Sequence, residues 1–295
     1  MMVFTADRTK RSIKDLECIF YELKSGYRKV YLIPPNVHLQ GFIRSVEGSE
    51  QRRTAMKFKN VYEDNQRAEA YAKLDFPGTY YLAYRDLPDI IGKHVKGKKA
   101  VDFGCGTGRS TRFLSNLGFD VLGIDISREM INRALQLDPK GTYQLVKNGD
   151  FSELQGDTYD LVLSVFTFDN IPTMDQKIRN FLALARLLKS TGTLVNLVSS
   201  PDIYIHEWAS FSTKDFPENA HAKSGERVRI IQTDIEDRRP VEDVICSDED
   251  YRKIYDKTGL TVVETYKPLG RDDEPFSWVN ETRIAPWVIY VLKNV

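Results

Sequence analysis

The sequence predicts an α/β fold in which a mostly parallel sheet is covered by helices on both faces. Strand-like and helix-like segments alternate over residues 98–199, and the strand-like segments are almost continuously apolar. Both features are typical of strands buried on two sides. Hydrophobic residues make up 41% of the 295 residues and charged residues 28%, so there is ample material for one large core. Open α/β sheets bind ligands at the carboxyl ends of their strands, so the loops at that edge are expected to build the site.

The alternating region contains five predicted strands. In chain order they are KKAVDF, FDVLGIDI, TYQLVKNGD, YDLVLSVFTF and TLVNLVSS. Helices are predicted between them wherever apolar residues recur at helical spacing. Gly118 is expected to end the first helix and Ser127 to cap the second. Gly192 is expected to close the long amphipathic helix that precedes the fifth strand.

The simple alternation stops beyond residue 200. RVRIIQTDI and VEDVICS have a β-rich composition and are joined by a turn that contains proline. They predict an antiparallel β-hairpin after strand five, within an inserted lid segment at about 201–247. SDEDYRKIYDKTG then predicts a helix with Ser247 as its N-cap. Two further strands, LTVVETYKPL and APWVIYVLK, bring the core to seven strands.

Residues 1–60 are predicted to form a separate N-terminal helical arm, and residues 61–295 the main domain. In the arm, KRSIKDLECIFYELKSGY has helical spacing. The apolar residues on one face of that helix would be Ile13, Leu16, Ile19, Phe20 and Leu23. Residues 61–96 are again predicted to be helical, with a break at Pro77 and Gly78.

The charge of the chain is balanced in total and uneven along its length. The formal net charge is zero, which gives no electrostatic argument for a nucleic-acid or anionic-membrane partner. Residues 1–60 hold 12 Lys or Arg against 6 Asp or Glu (+6), and residues 201–250 hold 6 against 13 (−7). Two interpretations stay open: the segments are two solvated faces, or the basic arm packs over the acidic segment, within one chain or in a homodimer.

Neither export nor a structural metal is predicted. MMVFTADRTKR lacks the apolar core of a signal peptide, and no apolar run approaches the ~20 residues that span a bilayer. The three cysteines and four histidines are scattered, in a pattern that builds neither a disulfide framework nor a metal-ligand cluster. A cytoplasmic location is therefore expected.

The segment VDFGCGTGRS, residues 101–110, follows the first predicted strand and opens a helix. Gly104, Gly106 and Gly108 allow a tight turn and let a ligand approach the backbone where a Cβ atom would collide. The helix N-terminus beyond them offers unpaired N–H groups to a carboxylate. Asp125 ends the second strand, where a carboxylate can accept both ribose hydroxyls of a nucleoside.

The glycines follow the pattern G-x-G-x-G, whereas a dinucleotide site has G-x-G-x-x-G. With Asp102, Asp125 and the turn at residues 149–150, this ordered spacing resembles that of class I S-adenosylmethionine-dependent methyltransferases. The closest resemblance is to the broad methyltransferase-domain group that acts on small molecules. Seven strands with a reversed final hairpin resemble the same Rossmann-like methyltransferase sheet over residues 61–295. The resemblance implies S-adenosylmethionine as methyl donor and S-adenosyl-L-homocysteine as product.

The resemblance also implies a set of cofactor-binding residues. They are Tyr71, Tyr81, Arg85, Asp102, Gly104, Cys105, Gly106, Thr107, Gly108, Asp125, Ile126, Asp150, Phe151, Ser164 and Phe166. Asp102 would hold the methionine end with the glycine loop; alternatively it braces the loop. Asp125 would hold the ribose and Ile126 would pack on the adenine. Asp150 would bond the adenine amino group, with Phe151 beside it.

Residues upstream of the first strand complete the implied cofactor site. An aromatic residue there covers the cofactor in similar proteins, and Tyr71, Tyr80 and Tyr81 are the candidates; packing in the core or at the surface is the alternative for each. Arg85 would meet the methionine carboxylate. Cys105 is interpreted as a small neutral filler of the glycine loop, because cysteine packs as a small apolar residue.

The acceptor is expected beside the fourth strand, which continues into FTFDNIP, residues 166–172. By the same resemblance the turn at residues 164–166 lies under the sulfonium, and this lip lies against the transferring methyl. The lip is not the N/D-P-P-Y motif of methylation at exocyclic base amines or protein glutamine, which argues against those targets. Asp169 and Asn170 are candidates to orient an acceptor; alternatively they cap the helix that begins near Thr173.

Polar and aromatic residues crowd the stretch after the fifth strand, where Tyr204, His206, Glu207 and Trp208 follow each other closely. His206 is the candidate general base, because imidazole titrates near neutrality, and Glu207 would fix its tautomer. Alternatively, His206 and Trp208 pack the inserted hairpin. The candidate catalytic residues are thus His206, Asp169 and Tyr204. A base helps only where the acceptor still carries its proton.

Three functions stay open from the sequence. The favoured one is methyl transfer to a nitrogen, oxygen or carbon atom of a small molecule. The second is methyl transfer to a protein or an RNA that docks on the basic arm. The third is S-adenosylmethionine binding without turnover. The inserted segment and the arm are expected to roof the acceptor pocket together.

Overall fold

The chain divides into two compact units, Met1–Lys59 and Asn60–Val295. The computed structural model describes residues 77–147 and 150–294, and the backbone of residues 17–22 and 28–33. In the first unit this backbone is an antiparallel hairpin of strands β1 (Glu17–Glu22) and β2 (Arg28–Ile33). The prediction of a helix across this stretch is therefore wrong. ECIFYE and RKVYLI are rich in aromatic and β-branched residues, whose preference for paired strands outweighs the helical spacing.

A seven-stranded sheet forms the centre of the second unit. The strands of this unit are β3 (Lys99–Phe103), β4 (Asp120–Asp125), β5 (Thr142–Leu145), β6 (Tyr159–Val165), β7 (Leu188–Ser199), β8 (Phe211–Ser212), β9 (Arg227–Gln232), β10 (Val241–Val244), β11 (Leu260–Tyr266) and β12 (Trp287–Asn294). Seven of them pair in the order β11-β12-β7-β6-β3-β4-β5. Strand β12 runs opposite to the other six strands of this sheet, which confirms the predicted α/β class and the reversed final hairpin.

Helices cover both faces of the sheet, as predicted. They are α1 (Thr79–Arg85), α2 (Leu87–His94), α3 (Arg109–Asn116), α4 (Arg128–Leu137), α5 (Met174–Leu187) and α6 (Asp248–Lys257). Alternate strand residues point to opposite faces. In β3, Ala100 packs in the core that includes α1, α2 and α3, and Val101 packs in the core that includes α5 and α6. No helix in the described parts of the chain combines the length and apolar character needed to cross a bilayer.

The predicted end of the long amphipathic helix is wrong. Helix α5 ends at Leu187, and residues 188–199 form β7, so Gly192 lies inside a strand. The reason is pairing at long range: Leu188 is already opposite Tyr159 of β6. A Cβ atom on Gly192 would lie 2.9 Å from the carbonyl oxygen of Tyr159. The glycine therefore serves the close approach of two strands, and it does not cap a helix.

The segment inserted after β7 forms a second, smaller sheet. Strands β9 and β10 pair as the predicted antiparallel hairpin, with Val241 opposite Ile230. Strand β8 adds a third strand to the other edge of β9. Val228 and Ile230 of β9 belong to the same core as the first face of the main sheet. The insertion is thus packed firmly over one face of the domain.

Candidate functional site

The loop after β3 has the backbone conformation that its glycines predict. Gly104, Gly106 and Gly108 have φ angles of 70°, 53° and 80°, in the left-handed region. A Cβ atom on Gly104 would lie 2.2 Å from Thr167 Oγ1, and one on Gly108 would lie 2.5 Å from the hydroxyl of Tyr143. A Cβ atom on Gly106 would meet nothing within 4 Å. Two glycines thus serve internal packing, and the middle one borders open space that a ligand can enter.

Asp102 braces this loop with one oxygen and leaves the other without a partner. Its Oδ2 accepts hydrogen bonds from Ser110 Oγ at 2.7 Å and from Thr111 Oγ1 at 2.6 Å. Its Oδ1 is buried and has no partner among the described residues. Burial raises the pKa of Asp102 to about 6. The bracing role is therefore present in the structure, and the remaining oxygen can still take a donor such as an ammonium group.

Asp125 lies at the end of β4, as its position in the sequence predicts. Its Oδ2 accepts from the backbone N–H of Gly106 at 2.9 Å, and its Oδ1 accepts from that of Ser127 at 2.8 Å. Burial raises the pKa of this carboxyl. Each carboxylate oxygen has a second lone pair, so Asp125 can still accept ribose hydroxyls. The next side chain, Ile126, is 47% exposed and offers an apolar surface of the kind that an adenine ring covers.

The loop after β5 supplies one accessible hydrogen-bond acceptor and one core residue. Asp150 is exposed, and its Oδ1 accepts from Ser152 N at 3.1 Å and Ser152 Oγ at 2.6 Å. These bonds lower the pKa of Asp150. Phe151 is buried, with its ring 5.6 Å from that of Phe103. The structure thus uses Phe151 for packing, while Asp150 faces solvent at the sheet edge; Gly149 lies outside the described residues.

Two members of the glycine loop are structural. Cys105 is 4% exposed, and burial raises the pKa of its thiol well above the usual value. This agrees with the interpretation of Cys105 as a neutral filler. Thr107 is also buried, and its carbonyl accepts from Arg112 at 2.8 Å.

The structure contradicts the role predicted for Arg85. Its guanidinium donates to both carboxylate oxygens of Asp86, to Glu274 Oε1 at 2.6 Å and to the carbonyl of Leu269. Two carboxylates already neutralise this arginine, so it is not left to bind the methionine carboxylate. Tyr81 is half-buried, with its ring 4.9 Å from that of Phe276. Tyr71 lies outside the described residues.

The turn after β6 lies between the glycine loop and a separate pocket. Phe166 has a φ of 61°, which is rare for a residue with a side chain, and its N–H donates to the carbonyl of Leu197 at 2.8 Å. Thr167 contacts Gly104, and its hydroxyl donates to the carbonyl of Phe103 at 2.8 Å. Ser164, just before the turn, is fully buried and its Oγ has no partner among the described residues. The turn thus fixes the end of β6 against the loop after β3.

The separate pocket lies between this turn, the start of β12 and the inserted sheet. Its lining residues are Tyr80, Phe166, Asp169, Asn170, Ser199, Ile203, Tyr204, Phe211, Ile230, Gln232, Val241, Asp243 and Trp287. A cavity of about 40 Å³ lies between them, within a wider space of about 420 Å³ that includes open solvent. Such a mixture of apolar walls and a few polar groups is typical of small-molecule sites. Of the predicted catalytic residues, Asp169 and Tyr204 line this pocket.

Two buried carboxyls give the pocket its polar character. Asp169 Oδ2 accepts from the backbone N–H of Ser199 at 3.0 Å, and Asp243 Oδ2 accepts from the Tyr204 hydroxyl at 3.1 Å. Burial raises the pKa of Asp169 to about 6 and, with the nearby charge of Asp169, raises that of Asp243 to about 7. The helix that follows is capped by Thr173, whose side chain accepts from Gln176 N. Asp169 is therefore not its cap, and the alternative reading of this residue is wrong.

The structure does not bring His206 into the pocket. Its ring lies 6.2 Å from that of Trp208, and it is absent from the pocket lining. Glu207 does not contact the imidazole as predicted, because its oxygens accept from Ser212 Oγ, Thr213 N and Thr213 Oγ1. The 3₁₀ turn Pro201–Tyr204 ends before His206 and directs Tyr204 inward instead. The packing alternative thus describes His206 better than the general-base prediction.

Sequence reasoning missed Asp243, Gln232 and Trp287. Asp243 lies on β10 between Val241 and Val244, and it is 7% exposed. Its signal in the sequence is a carboxylate in VEDV, a segment too short to show which face is buried. Gln232 and Trp287 come from segments predicted as strands, and only the tertiary fold shows that their side chains reach a common pocket.

Comparisons with known proteins agree with the fold and the loop. Residues 101–196 match a family model described as "Methyltransferase domain". A "Ubiquinone biosynthesis O-methyltransferase" of Burkholderia ambifaria is 31% identical over 84 residues, which are 27% of this chain and 36% of that protein. A "Demethylmenaquinone methyltransferase" of Tropheryma whipplei is 38% identical over 104 residues, 34% of this chain and 41% of that protein. The chain thus spans less than half the length of these relatives.

Solved structures extend the similarity beyond the matched domain. The CcbJ methyltransferase of Streptomyces caelestis superposes with a TM-score of 0.57 at 15% sequence identity, over 80% of this chain and 99% of that one. An S-adenosylmethionine-dependent methyltransferase from Clostridium acetobutylicum gives a TM-score of 0.51 at 14% identity, over 76% and 94%. At these identities the similarity shows the fold alone.

Proposed function

We propose that this chain, which carries a methyltransferase domain in the class I S-adenosylmethionine-dependent fold, transfers a methyl group to a small molecule bound in the pocket beside Phe166. The observation that carries the proposal is the shared turn at residues 166–170. Thr167 packs against Gly104 of the glycine loop, while Phe166, Asp169 and Asn170 line the pocket. A donor on the loop and an acceptor in the pocket would thus be held by one rigid segment.

The residues present fit S-adenosylmethionine. Gly106 borders open space, and Asp102 Oδ1 is a buried acceptor without a described partner, suited to the ammonium of the methionine end. Asp125 keeps lone pairs for the ribose hydroxyls, and exposed Ile126 offers a surface for the adenine. Asp150 can accept from the adenine amino group. The proposed binding residues are therefore Asp102, Gly106, Asp125, Ile126 and Asp150, with the rest of the glycine loop and Phe151 as packing support and without Arg85.

When bound, S-adenosylmethionine supplies a methyl group already activated by its sulfonium. The protein then has to align the acceptor and exclude water. Aromatic rings of Tyr80, Phe166 and Trp287 form walls that keep water away from the acceptor. For an acceptor that still carries its proton, Asp243 is placed to take it, since burial holds its pKa at about 7.

The pocket favours a small acceptor over a macromolecule. It is enclosed on one side by the inserted sheet, through Ile230, Gln232 and Val241, and on another by Trp287. The names of both relatives refer to quinones, ubiquinone and demethylmenaquinone, which are small molecules. A role for the basic arm in roofing the pocket or in forming a homodimer stays a prediction from charge alone. Cytoplasmic location likewise stays a prediction.

Calorimetry with S-adenosylmethionine and S-adenosylhomocysteine tests the donor site. Asp125→Ala should weaken binding by about 1.5–3 kcal/mol, the usual contribution of a hydrogen bond to a charged group. Asp120→Ala is the matched control, because Asp120 begins the same strand but is exposed. Equal affinity of the Asp125→Ala variant and the parent would remove Asp125 from the site. Saturable NADH binding in place of S-adenosylmethionine would overturn the proposed function.

A further inference from the structure

Two carboxyls and one lysine form a cluster of charges at the acceptor pocket, and the guanidinium of Arg109 lies 5.0 Å from the ring of Tyr80 in the pocket wall. Asp169 and Asp243 reach the pocket from different elements, and Lys177 on α5 is the cation whose charge acts on both carboxyls. Lys177 is itself fully buried, and its Nζ donates to the carbonyl of Phe168. With all three groups ionised, the cluster carries one net negative charge. An uncompensated buried charge is costly, so a ligand that brings a positive charge would be favoured.

The hydrogen bonds of the pocket also leave one buried acceptor without a donor. Asp243 lines the pocket and is only 7% exposed. Its Oδ1 has no hydrogen-bond partner among the described residues. One N–H of each lining amide is engaged: Asn170 donates to the carbonyl of Phe166, and Gln232 donates to the Tyr80 hydroxyl. Tyr204 donates to the other oxygen of Asp243. The buried Asp243 Oδ1 is therefore the acceptor that a ligand with a donor group would satisfy.

The apolar walls suit a cation as well. The ring of Phe166 lies 4.6 Å from that of Trp287, and the ring of Tyr80 lies 5.1 Å from that of Phe211 and 6.0 Å from that of Trp287. Aromatic faces attract ammonium groups, most strongly where water is excluded. An anionic acceptor would instead meet two carboxyl groups, and a neutral hydroxyl would bring no charge to pair with Asp243.

We propose that the acceptor is a small primary or secondary amine that enters as its ammonium ion, with Asp243 and Asp169 as its counter-ions and the aromatic rings as its walls. This inference rests on the proposed function, because the pocket is an acceptor site only if methyl transfer takes place beside Phe166. It narrows the open choice among nitrogen, oxygen and carbon acceptors to nitrogen.

The proposed step conserves atoms and charge. The bound ammonium first gives one proton to Asp243, which frees the nitrogen lone pair. That lone pair forms the N–CH3 bond while the S–CH3 bond of S-adenosylmethionine breaks, and the sulfur keeps the bonding electrons. The product leaves as the N-methylammonium ion with S-adenosylhomocysteine, and the proton on Asp243 passes to solvent. Asp243 thus first compensates the positive charge and then accepts the proton.

Binding of such a cation should also release protons from Asp243 to the solvent. The groups that act on Asp243 are Asp169, Tyr204, Lys177 and Glu242, and among them only Lys177 is positive. An ammonium beside Asp243 adds a second positive charge and lowers the pKa of this carboxyl. Because that pKa is about 7 without the ligand, amine binding near neutral pH should release protons.

The test is calorimetry on the full chain saturated with S-adenosylhomocysteine, with 2-phenylethylamine, 2-phenylethanol and phenylacetate as probes. We expect the amine alone to bind, and its heat to differ between buffers of different ionisation enthalpy because protons are released. Asp243→Asn should weaken amine binding at least tenfold and leave S-adenosylhomocysteine affinity unchanged. Glu226→Gln is the control, since Glu226 is exposed just before β9 of the same small sheet and is not among the groups that act on Asp243.

A second variant protects the test if Asp243→Asn folds poorly. Tyr204→Phe keeps the carboxylate and removes its hydroxyl donor, which raises the pKa of Asp243 further. Amine affinity should therefore fall at pH 6.5 and return at pH 8.5. Equal binding of the alcohol and the amine, absence of amine binding at millimolar concentration, or a tight-binding Asp243→Asn variant would overturn the inference. Failure of S-adenosylhomocysteine to bind would instead refute the proposed function.

Discussion

The middle glycine of the loop gives the sharpest test of the donor site, because its two neighbours serve packing and it does not. Gly106→Ala adds one methyl group where the structure has open space. The φ of 53° is the left-handed conformation, which costs a residue with a side chain about 1–2 kcal/mol. The free energy of unfolding should fall by about that amount, since no atom lies within 4 Å of the added carbon.

The loss of ligand affinity should exceed what this strain explains. The methyl group would occupy the space through which a ligand approaches the backbone, so S-adenosylmethionine should bind at least about tenfold more weakly, or about 1.4 kcal/mol. Calorimetry gives the affinity, and urea unfolding without ligand gives the stability. Gly225→Ala is the matched control: its φ is 93° and its surroundings are equally open, but it lies in the inserted segment.

The two variants separate strain from ligand contact. Both should lose similar stability, and only Gly106→Ala should lose affinity. Gly104→Ala gives a third reference, because its Cβ would lie 2.2 Å from Thr167 Oγ1 and the overlap should destabilise the fold beyond the strain alone. Unchanged S-adenosylmethionine affinity in a folded Gly106→Ala protein would show that the ligand does not approach this loop, and the reasoning on the open space would be wrong.

Two further predictions concern titrating groups. The folded-state pKa of Asp243, about 7, lies above its ordinary value, so its favourable contribution is complete below pH ~4 and is lost as the pH rises through 7. In urea unfolding without ligand, Asp243→Asn should therefore become more stable relative to the parent between pH 5 and pH 8, and a constant difference would contradict this. His206→Gln should keep the methylation rate within about threefold, because the imidazole lies outside the pocket; a loss on the order of 10²–10⁴-fold would restore His206 as the base.

The sequence predicted those parts of the fold that local patterns determine. Continuous apolar runs mark the parallel strands, and the glycine pattern marks the loop after β3, because both patterns act over a few residues. The end of α5 could not be predicted this way. LKSTG has no feature that forbids a last helical turn, and it becomes strand because Leu188 pairs with Tyr159. The N-terminal hairpin shows the same limit, since its helical spacing and its β-propensity disagree.

The candidate site likewise has a part that local sequence predicts and a part that it does not. The glycine loop is contiguous, so the resemblance could assign Asp102 and Gly106 from a local motif, and their contact with a ligand stays a prediction. The acceptor pocket is assembled from distant segments, with Tyr204 and Asp243 39 residues apart in the chain. Arg85 was misassigned for a related reason, because Glu274, which neutralises it, is 189 residues away. A charged residue can be given a partner from sequence only when that partner is local.

The strain at Phe166 explains how the two halves of the site are held in register. A left-handed backbone at a residue with a side chain costs on the order of 1–3 kcal/mol and persists only where its surroundings enforce it. Here the enforcing contacts are the carbonyl of Leu197 and the ring of Trp287. The tight turn brings Thr167 against the glycine loop and Asp169 against the backbone of Ser199. The proposed methyl transfer needs its two reacting atoms closely aligned, and a turn fixed on both sides would provide that alignment before any ligand is bound.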